Sequence, residues 1–390
     1  MARFGVICEY NPLHTGHAYH LECARKSGAD TIVCIMSGNF TQRGEPAMAH
    51  KYTRARAAID AGADLVVELP FPYACASAEF FAAAGVAAAD ALGASTLFFG
   101  SECNDAQLLS KAAQVTLSDT FAKQYQALIK TNIGTAAAYA KAFERTAGYA
   151  LPAKSNDLLG IAYCKAILAG GYELCPVCTK RTGADYRDTA IAQAHPSATA
   201  LRKLWRENGL SDLEEGLPAA SYRALLAADA KKELLGNECA FDMALLAILR
   251  TMTPEQMQSF ALCGGGLGAR IADASQKATN LAQLYALCAH KSLPDAHVRR
   301  AVLYAALGVR EQDLRQTPAY LSVLGANANG RRLLSELRRT CPVLLVTKPA
   351  DAPDCRQREL SDRADALYTL AMQAPQNSGF FKRQSPIMAD

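Results

Sequence analysis

Two histidines, His14 and His17, flank Gly16 in the stretch NPLHTGHAYH, and His20 follows. An apolar run, residues 4–8, precedes this stretch, and a helical pattern begins within it. A helix that starts in such a turn presents backbone N–H groups and the positive end of its dipole, where phosphate binds. Imidazoles there can stabilise negative charge on an α-phosphorus and a leaving pyrophosphate. The sequence therefore indicates nucleotide chemistry with His14 and His17 as catalytic groups, whereas His20, one turn farther, favours helix packing.

The elements that must position these histidines follow a regular rhythm. Apolar, β-branched runs open at Phe4, Thr31, Asp64 and Thr96, separated by 27, 33 and 32 residues, and each gap contains a helical pattern. This spacing is typical of βαβ units, and because the runs are almost continuously apolar, both faces of each strand should be covered. We predict an α/β fold: a Rossmann-like doubly wound parallel sheet followed by a mainly helical C-terminal domain.

In such a sheet, ligands bind beyond the carboxyl ends of the strands. The segments at those ends are YNPLHTGH, SGNFTQRGEP, LPFPYACAS and GSECND, so we expect them to converge on one crevice. The second segment and the helix after it carry Gln42, Arg43, Lys51, Arg54 and Arg56. Since the last two lie two apart on a helix, at least one should point to solvent. Residues 37–39, Ser-Gly-Asn, form a flexible loop that we hypothesise closes over a reactive intermediate and excludes water.

After residue 104 the pattern becomes helical. SNDLLGIAYCKAILAGG predicts a helix, YELCPVCTKRTGADY a last strand, and SATALRKLW a helix capped by Ser197. Helical periodicity with pairs of arginines dominates from about Leu210, and CPVLLVTKP is a strand-like segment that adds an edge or a small substructure. We therefore divide the chain into a nucleotide-binding α/β domain, residues 1–205, and a mainly helical domain, residues 206–390.

Composition and charge narrow the class of protein. Half of the 390 residues are hydrophobic and a fifth are charged, as in an ordinary soluble protein. Residues 1–150 hold 12 Lys or Arg against 13 Asp or Glu, and the remaining residues hold 29 against 24. The positive excess therefore lies in the second part of the chain, where it weakly favours a polyanionic partner.

The cysteines and apolar runs indicate a cytoplasmic protein with no membrane partner. Thirteen scattered cysteines form no disulfide framework. Cys175 and Cys178 make a single Cys-x-x-Cys pair, which supplies two ligands at most, so we predict no dedicated metal site. The alanine-rich run that follows Tyr73 carries Glu79 and Asp90 and is typical of a packed helix, and no secretory leader is evident.

Several motifs together resemble a known family. They are VICEYNPLHTGHAYH, MSGNFTQRGEPA, AGADLVVELPFPYA, LFFGSE, KSNDLLGIAY, KRTGADYRD, SATALRK and YLSVLGANANGRRLL. The His-x-Gly-His signature is that of the nucleotidyltransferase superfamily, and the ordered set resembles the bacterial tRNA(Met) cytidine acetate ligases. This resemblance implies an enzyme that uses ATP to activate acetate as acetyl-adenylate. The acetyl group would then pass to the wobble cytidine of elongator tRNA(Met), making N4-acetylcytidine.

The resemblance also implies an ATP site, with Mg2+ held mainly by phosphate oxygens. Its residues are Ile7, Cys8, Glu9, Tyr10, Asn11, Pro12, Leu13, His14, Thr15, Gly16, His17, Ala18, Tyr19, His20, Gly100, Asn156 and Arg181. From the residues themselves, Gly100 permits either close approach of a nucleotide or a tight turn. Asn156 suits a ribose contact or a helix cap. Arg181 can grip phosphate, or together with Lys180 form a solvated pair.

The helix SATALRKLWRENG carries a basic stripe. Arg202, Lys203 and Arg206 are therefore candidates for tRNA binding, and Trp205 beside them favours core packing over stacking on RNA. The chain departs from the family pattern at CGGGLGARI, Cys263–Ile271, where an acidic Glu-Gly-Leu-Glu-Asn-Arg type of segment is usual. The resemblance therefore assigns this segment no role in RNA placement. Its GGGLGA run follows no strand, so a dinucleotide loop is not indicated.

Two other functions remain open from the sequence. A small-molecule adenylyltransferase or acyl-adenylate ligase would use the same His-x-Gly-His chemistry, although the long basic helical half suits a polyanion better. A catalytically inactive RNA-binding protein with a nucleotidyltransferase fold would not need His14, Gly16 and His17 intact. Pyrophosphate exchange and salt-dependent tRNA binding discriminate among the three.

Overall fold

The computed structural model describes residues 2–131, 133–181, 196–290 and 293–389. Its centre is a sheet whose strands are β1 (Arg3–Cys8), β2 (Thr31–Ser37), β3 (Leu65–Leu69), β4 (Thr96–Ser101), β5 (Cys175–Lys180), β6 (Tyr320–Ala326), β7 (Leu344–Val346) and β8 (Ile387–Met388). In the sheet they are ordered β5-β4-β1-β2-β3-β6-β7, with β8 beside β6. The first five run parallel to one another. The predicted parallel α/β sheet is confirmed.

Helices cover the sheet and build the rest of the molecule. They are α1 (Thr15–Lys26), α2 (Lys51–Asp60), α3 (Ala78–Ala91), α4 (Ala106–Leu117), α5 (Asp119–Ile129), α6 (Thr135–Ala147), α7 (Ser155–Gly170), α8 (Ala198–Asn208), α9 (Ala219–Ala230), α10 (Glu238–Arg250), α11 (Pro254–Gln258), α12 (Leu267–Lys277), α13 (Leu281–Cys288), α14 (Asp295–Leu307), α15 (Glu311–Leu314), α16 (Ala328–Thr340) and α17 (Arg356–Leu370). In the described ranges, none is long and apolar enough to cross a membrane.

The apolar strands separate two cores, as their composition predicts. In β2, Ile32, Cys34 and Met36 face one hydrophobic cluster, whereas Val33 and Ile35 face another on the opposite side. Successive side chains of a strand point to opposite faces, so a strand that is covered on both sides must be apolar throughout. This burial fixes the strand in the sheet and holds its carboxyl end in place.

The C-terminal part is mainly helical, but it also returns to the sheet. Strand β6 pairs antiparallel with β3, and β7 and β8 both pair parallel with β6. The segment CPVLLVTKP contains β7, so its predicted addition of an edge is confirmed. The division into residues 1–205 and 206–390 stays a prediction, and the path of β6 shows that the sheet draws on both parts of the chain.

The predicted elements after residue 104 also occur. SNDLLGIAYCKAILAGG forms α7, and SATALRKLW begins α8, where the Ser197 side chain accepts a hydrogen bond from the backbone N–H of Ala200 at 3.1 Å. The predicted last strand forms β5 as far as Lys180. The remainder of that segment and most of the KRTGADYRD motif lie outside the described residues.

Candidate active site

The turn between β1 and α1 is held at several points of its main chain. Tyr10, two residues after the end of β1, adopts a left-handed backbone conformation with φ 48°. This conformation turns the chain away from the direction of the strand. Arg54 donates from Nη1 to the carbonyl of Glu9 at 2.6 Å. The side-chain oxygen of Asn11 accepts from the backbone N–H of Met48 at 2.8 Å. The turn is therefore held by side chains and main chain of other elements.

The two catalytic candidates cap the helix that they begin. His14 is the N-cap of α1, and its Nδ1 accepts from the backbone N–H of Gly16 at 3.1 Å. The Nδ1 atom of His17 accepts in return from the backbone N–H of His14 at 3.3 Å. This is the reciprocal geometry of a capping box, built from two imidazoles. The rings stack with their centroids 3.7 Å apart and an angle of 23° between their planes.

This geometry fixes the tautomer of both rings. A backbone N–H can only donate, so each Nδ1 must be an acceptor, and in a neutral ring the proton is then on Nε2. Burial lowers the pKa of His17 well below its ordinary value, and the neighbouring His14 and Arg181 lower it further. A hydrogen bond of the ring to the Pro12 main chain opposes this shift. His17 is therefore neutral at physiological pH, a form that can donate a hydrogen bond without carrying a charge of its own.

His20 lies one turn farther along α1 and packs against the ring of Phe98, with 4.8 Å between centroids. Burial lowers its pKa to about 4, a main-chain hydrogen bond at Phe99 opposes that shift, and Arg181 adds to it. His20 is thus a neutral packing residue, as its position predicts, and its Nε2 is a buried polar atom without a partner among the described residues.

The other residues of the predicted ATP stretch divide into three groups by exposure. Side chains of Tyr10, Asn11, Leu13 and His14 are buried, and the Pro12 ring is buried with them. Ile7, Cys8, Glu9, Thr15, Gly16, His17, Ala18 and His20 are half-buried, and Tyr19 is exposed. The buried side chains of Tyr10, Asn11, Pro12 and Leu13 shape the turn, so a ligand beside it would meet their main chain.

At the end of β4, Gly100 lies against Arg181. A Cβ atom at Gly100 would stand 3.1 Å from Cγ of Arg181, closer than ordinary contact allows. The absence of a side chain therefore lets Arg181 cross the strand end and donate from Nη1 to the side-chain oxygen of Asn156 at 3.1 Å. The structure brings these three predicted residues together, and the charge of Arg181 contributes to the lowered pKa of His17.

Two carboxylates that the sequence analysis did not select hold this corner. Glu102 accepts from the side-chain amide of Asn156 at 2.6 Å and from the backbone N–H of Asp157 at 3.0 Å. Asp157 accepts in turn from the Ser101 hydroxyl at 2.6 Å and from the backbone N–H groups of Glu102 and Cys103. Acidic residues at the end of one motif (GSE) and the start of another (SND) were the available signal, but only the fold shows that they face each other.

The loop after β2 is not the flexible lid that its Ser-Gly-Asn composition suggested. Residues 37–39 are buried. The side chain of Asn39 donates to Asp365 at 2.8 Å and accepts from the backbone N–H of Lys51 at 2.8 Å. A Cβ atom at Gly38 would lie 2.5 Å from a carboxylate oxygen of Glu68, so the glycine is required by packing rather than by motion. The closing-loop hypothesis is wrong for this segment.

The basic residues after that loop differ in burial and in their partners. Lys51 is buried, with Nζ 2.9 Å from Glu68 and 2.7 Å from Asp365. Arg54 is buried and bonded to main-chain carbonyls, whereas Arg56 is exposed and pairs with Asp60, which confirms that one of the two arginines faces solvent.

Gln42 and Arg43 lie next to Glu9. The backbone N–H of Gln42 donates to the Glu9 carboxylate at 2.7 Å. Burial raises the pKa of Glu9, while that hydrogen bond and the charges of Arg202 and Arg54 oppose the shift, followed by the charge of Arg43.

The predicted tRNA-binding residues divide between surface and interior. Lys203 and Arg206 are exposed on α8, each near a carboxylate on the surface: Glu207 at 3.9 Å and Glu238 at 3.4 Å. Arg202 turns inward and donates from Nη1 to the carbonyl of Asn11 at 2.7 Å. Trp205 is half-buried against the hydrophobic core, as predicted for a packing residue.

Two other sequence features carry no site. Cys175 and Cys178 are free thiols on β5, and residues three apart in a strand face opposite sides, so they cannot share a metal. In the part of the chain that the structure describes, no group of three or more His, Cys, Asp or Glu could hold a metal ion. The glycine run before Leu267 joins α11 to α12 and follows no strand.

Known proteins share this architecture along the whole chain. A family model described as HIGH Nucleotidyl Transferase matches residues 1–382. The tRNA(Met) cytidine acetate ligase of Acetivibrio thermocellus is 32% identical over 96% of each chain, and that of Caldanaerobacter subterraneus subsp. tengcongensis is 33% identical over 95% of this chain and 96% of its own. This chain belongs to the tRNA(Met) cytidine acetate ligase family.

Solved structures agree with the family assignment. Thermotoga maritima TmcAL without ligand matches with a TM-score of 0.93 and 28% identity over the full length of both chains. The same protein bound with alpha-thio ATP matches with a TM-score of 0.91 and 27% identity, again over both full lengths. The nucleotidyltransferase fold expected for a tRNA(Met) cytidine acetate ligase is therefore the fold of this chain.

Proposed function

We propose that this protein activates acetate with ATP and transfers the acetyl group to the wobble cytidine of elongator tRNA(Met), forming N4-acetylcytidine. The observation that carries this proposal is the pair of stacked histidines at the start of α1. They lie at the carboxyl ends of the parallel strands, in a chain whose relatives are named for this reaction. A TmcAL structure with bound alpha-thio ATP supports the use of ATP.

In the first step, a carboxylate oxygen of acetate attacks the α-phosphorus of ATP. The new bond forms acetyl-adenylate, and the bond from the α-phosphorus to the bridging oxygen breaks to release pyrophosphate. Negative charge rises on the phosphate oxygens, where the Nε2–H groups of His14 and His17 and the backbone N–H groups of α1 stabilise it. Because both rings are already held by their Nδ1 atoms, they need little rearrangement as the charge develops.

The rest of the nucleotide would occupy the crevice toward β4. We assign ATP contacts to Gly100, Asn156 and Arg181, in addition to the stretch from Ile7 to His20. The Arg181 guanidinium, already oriented by Asn156, suits a phosphate or the developing negative charge. Gly100 allows the nucleotide and this side chain to come close to the backbone. Mg2+ would be held by phosphate oxygens, since the described residues offer no cage for it.

In the second step, the exocyclic N4 of cytidine attacks the acetyl carbonyl carbon. The carbon–oxygen bond to the phosphate breaks, AMP leaves, and one proton departs from the amine. The target base must be unstacked to reach the crevice, which suits a single-stranded anticodon loop. The exposed cations Lys203 and Arg206 on α8 are our candidates for contact with the tRNA backbone. The reaction takes place where tRNA is found, in the cytoplasm.

The direct test is nucleoside analysis of tRNA after incubation with the purified protein, ATP, Mg2+ and labelled acetate. The proposal expects the label to appear in the nucleoside N4-acetylcytidine. This nucleoside should form only when ATP and acetate are both present. Acetylation of a small molecule in place of RNA, or label transfer that does not depend on ATP, would contradict it.

A further inference from the structure

Arg202 reaches from the second half of the chain into the turn that carries the histidines. Its Nη1 donates to the carbonyl of Asn11 at 2.7 Å, a contact between residues 191 positions apart. The Asn11 carbonyl lies three residues before His14, the N-cap of α1. A charged donor on this carbonyl holds the main chain in position where it enters the His-x-Gly-His segment.

The helix that carries Arg202 is itself firmly rooted beside this turn. Leu201 is buried in a cluster that includes Met48 and Ala49, and Ser197 caps the start of α8. The backbone of Met48 in turn binds the side chain of Asn11. Arg202 therefore extends from a well-packed helix to a carbonyl, that of Asn11, whose residue is itself held by Met48. The Nη2 atom of Arg202 also donates to the Thr199 hydroxyl at 3.4 Å.

The neighbours of Arg202 on α8 behave differently. Lys203 and Arg206 are exposed and contact only carboxylates of the surface among the ion pairs of the described residues. Arg202 is half-buried, and its charge opposes the rise in the pKa of Glu9, which immediately precedes the turn. One helix thus presents two cations to solvent and one to the crevice, so their functions should separate.

We infer that Arg202 is a positioning residue of the nucleotide site: it holds the Asn11 carbonyl so that the imidazoles of His14 and His17 meet the α-phosphate in register. This inference rests on the proposed activation of acetate by ATP. It moves Arg202 away from the tRNA-binding surface that its place in a basic stripe suggests. The residue acts through the main chain of the turn and makes no contact with the reacting atoms.

The consequence is a specific kinetic pattern. In Arg202→Ala the turn loses one anchor, and small displacement of catalytic groups costs about a hundredfold in rate. Acetate-dependent ATP–pyrophosphate exchange should therefore fall about a hundredfold in kcat. Loss of one charged hydrogen bond to the turn should weaken ATP binding less, by about tenfold. In Arg202→Lys the ammonium can still donate to a carbonyl, so exchange should recover in part.

The experiment compares four variants without tRNA and then with it. Exchange and calorimetric ATP affinity are measured for Arg202→Ala and Arg202→Lys. Arg56→Ala is the matched control, because Arg56 is exposed and pairs only with Asp60 among the described ion pairs. Lys203→Ala, measured by tRNA gel shift over a range of salt, reports the outer face of α8. Melting temperatures identify any variant whose fold has changed, and Arg202→Lys then carries the comparison.

The inference expects Arg202→Ala to lose exchange while its tRNA affinity and salt slope stay close to those of the wild type. Unchanged exchange and ATP affinity in a folded Arg202→Ala protein, with weakened tRNA binding like that of Lys203→Ala, would overturn it. A wild-type protein that binds ATP but shows no acetate-dependent exchange would instead contradict the proposed function. In that case the calorimetric comparison of Arg202→Ala with Arg56→Ala still decides the role of Arg202.

Discussion

His17 occupies the third position of α1, where a glutamate or glutamine usually completes a capping box. An imidazole there accepts through one nitrogen, and in the proposed mechanism the other nitrogen donates to a phosphate oxygen. His14 repeats the arrangement one turn earlier, so the same hydrogen bonds that start the helix also orient both donors. If the proposed mechanism holds, folding and chemistry use opposite sides of the same rings.

The first prediction concerns this donor. His17→Ala should lower acetate-dependent pyrophosphate exchange by a factor of about a hundred to a thousand, the usual cost of removing one preorganised donor. Melting temperature should change little, since the cap that His17 supplies is a single long hydrogen bond. Glu22→Ala, an exposed change on the same helix, is the control. Normal exchange by a folded His17→Ala protein would remove this residue from the mechanism.

A second prediction follows from His20. Its pKa is about 4 in the folded protein and 6.5 ordinarily, so below pH 6.5 the unfolded chain binds more protons at this site. The stability that this group contributes is therefore complete above pH 6.5 and is lost as the pH falls toward 4. Urea unfolding at a series of pH values should show a shallower loss for His20→Gln than for wild type. The exposed His290→Gln serves as the control, and equal slopes for wild type and His20→Gln would contradict the account.

The sequence predicts the chemistry of these residues, but it does not predict which other residues hold them in place. The spacing of His14, Gly16 and His17 predicted the turn and the helix start because both depend on local geometry. The anchors of that turn, Arg54 and Arg202, come from other elements, and their targets are main-chain carbonyls that carry no sequence signal. Arg202 therefore looked like one member of a basic stripe.

At the scale of the elements, two carboxylates join β4 and α7, and each one accepts hydrogen bonds from the other's element. Glu102, just after β4, binds the start of α7, and Asp157, in the first turn of α7, binds the loop after β4. Through Asn156 this joint extends to Arg181. The position of the candidate ATP contacts thus depends on capping interactions between residues that are 54 and 55 positions apart in sequence.

Glu102→Ala should therefore affect both stability and nucleotide binding. The acceptors lost at the start of α7 should lower the free energy of unfolding by about 1–2 kcal/mol, as for other helix caps. ATP affinity should fall as well, because Asn156 and Arg181 lose their orientation. Glu79→Ala is a matched control: this exposed carboxylate also contacts α7, through Lys165 at 2.8 Å, yet surface pairs contribute little.

The measurements are denaturant unfolding and ATP calorimetry on both variants. Equal stability and equal ATP affinity in Glu102→Ala and Glu79→Ala would show that the joint is not needed. Loss of stability without loss of ATP affinity would separate the cap from the nucleotide site.

Elements with periodic sequence were predictable, and their connections were not. Strands β1 to β4 follow from apolar runs at regular spacing, since burial on both faces demands that composition. The Ser-Gly-Asn segment after β2 has the composition of a mobile loop. It is nevertheless buried, because Gly38 makes room for Glu68 and Asn39 binds a residue of α17. Such long-range demands leave no local pattern.

Across the whole molecule, the N-terminal sheet and the C-terminal helices form a continuous structure. Lys51 at the start of α2 lies between Glu68 of β3 and Asp365 of α17, with both carboxylates within 3.0 Å. Arg300 of α14 donates to the carbonyl of Gln42 in the loop after β2. Strand β6 joins the sheet beside β3. The helical half therefore contacts the elements that follow β2 and β3, while the division at residue 206 stays a prediction.

This arrangement predicts two half-reactions that can be separated. In the proposed function ATP and acetate meet at the strand ends, so pyrophosphate exchange should proceed without tRNA. Acetyl transfer requires an unstacked base with an exocyclic amine. The outer cations of α8 would bind phosphates whatever the base, so a transcript without that amine should bind and yet accept nothing.

The most direct measurement uses two tRNA(Met) transcripts that differ at one base, with cytidine or uridine at the wobble position. Each is incubated with the purified protein, ATP, Mg2+ and labelled acetate, and pyrophosphate exchange is followed in parallel. The account predicts exchange in every sample and stable label on the cytidine transcript alone. Equal label on both transcripts, or exchange with no label on either, would contradict cytidine acetylation as the function of this protein.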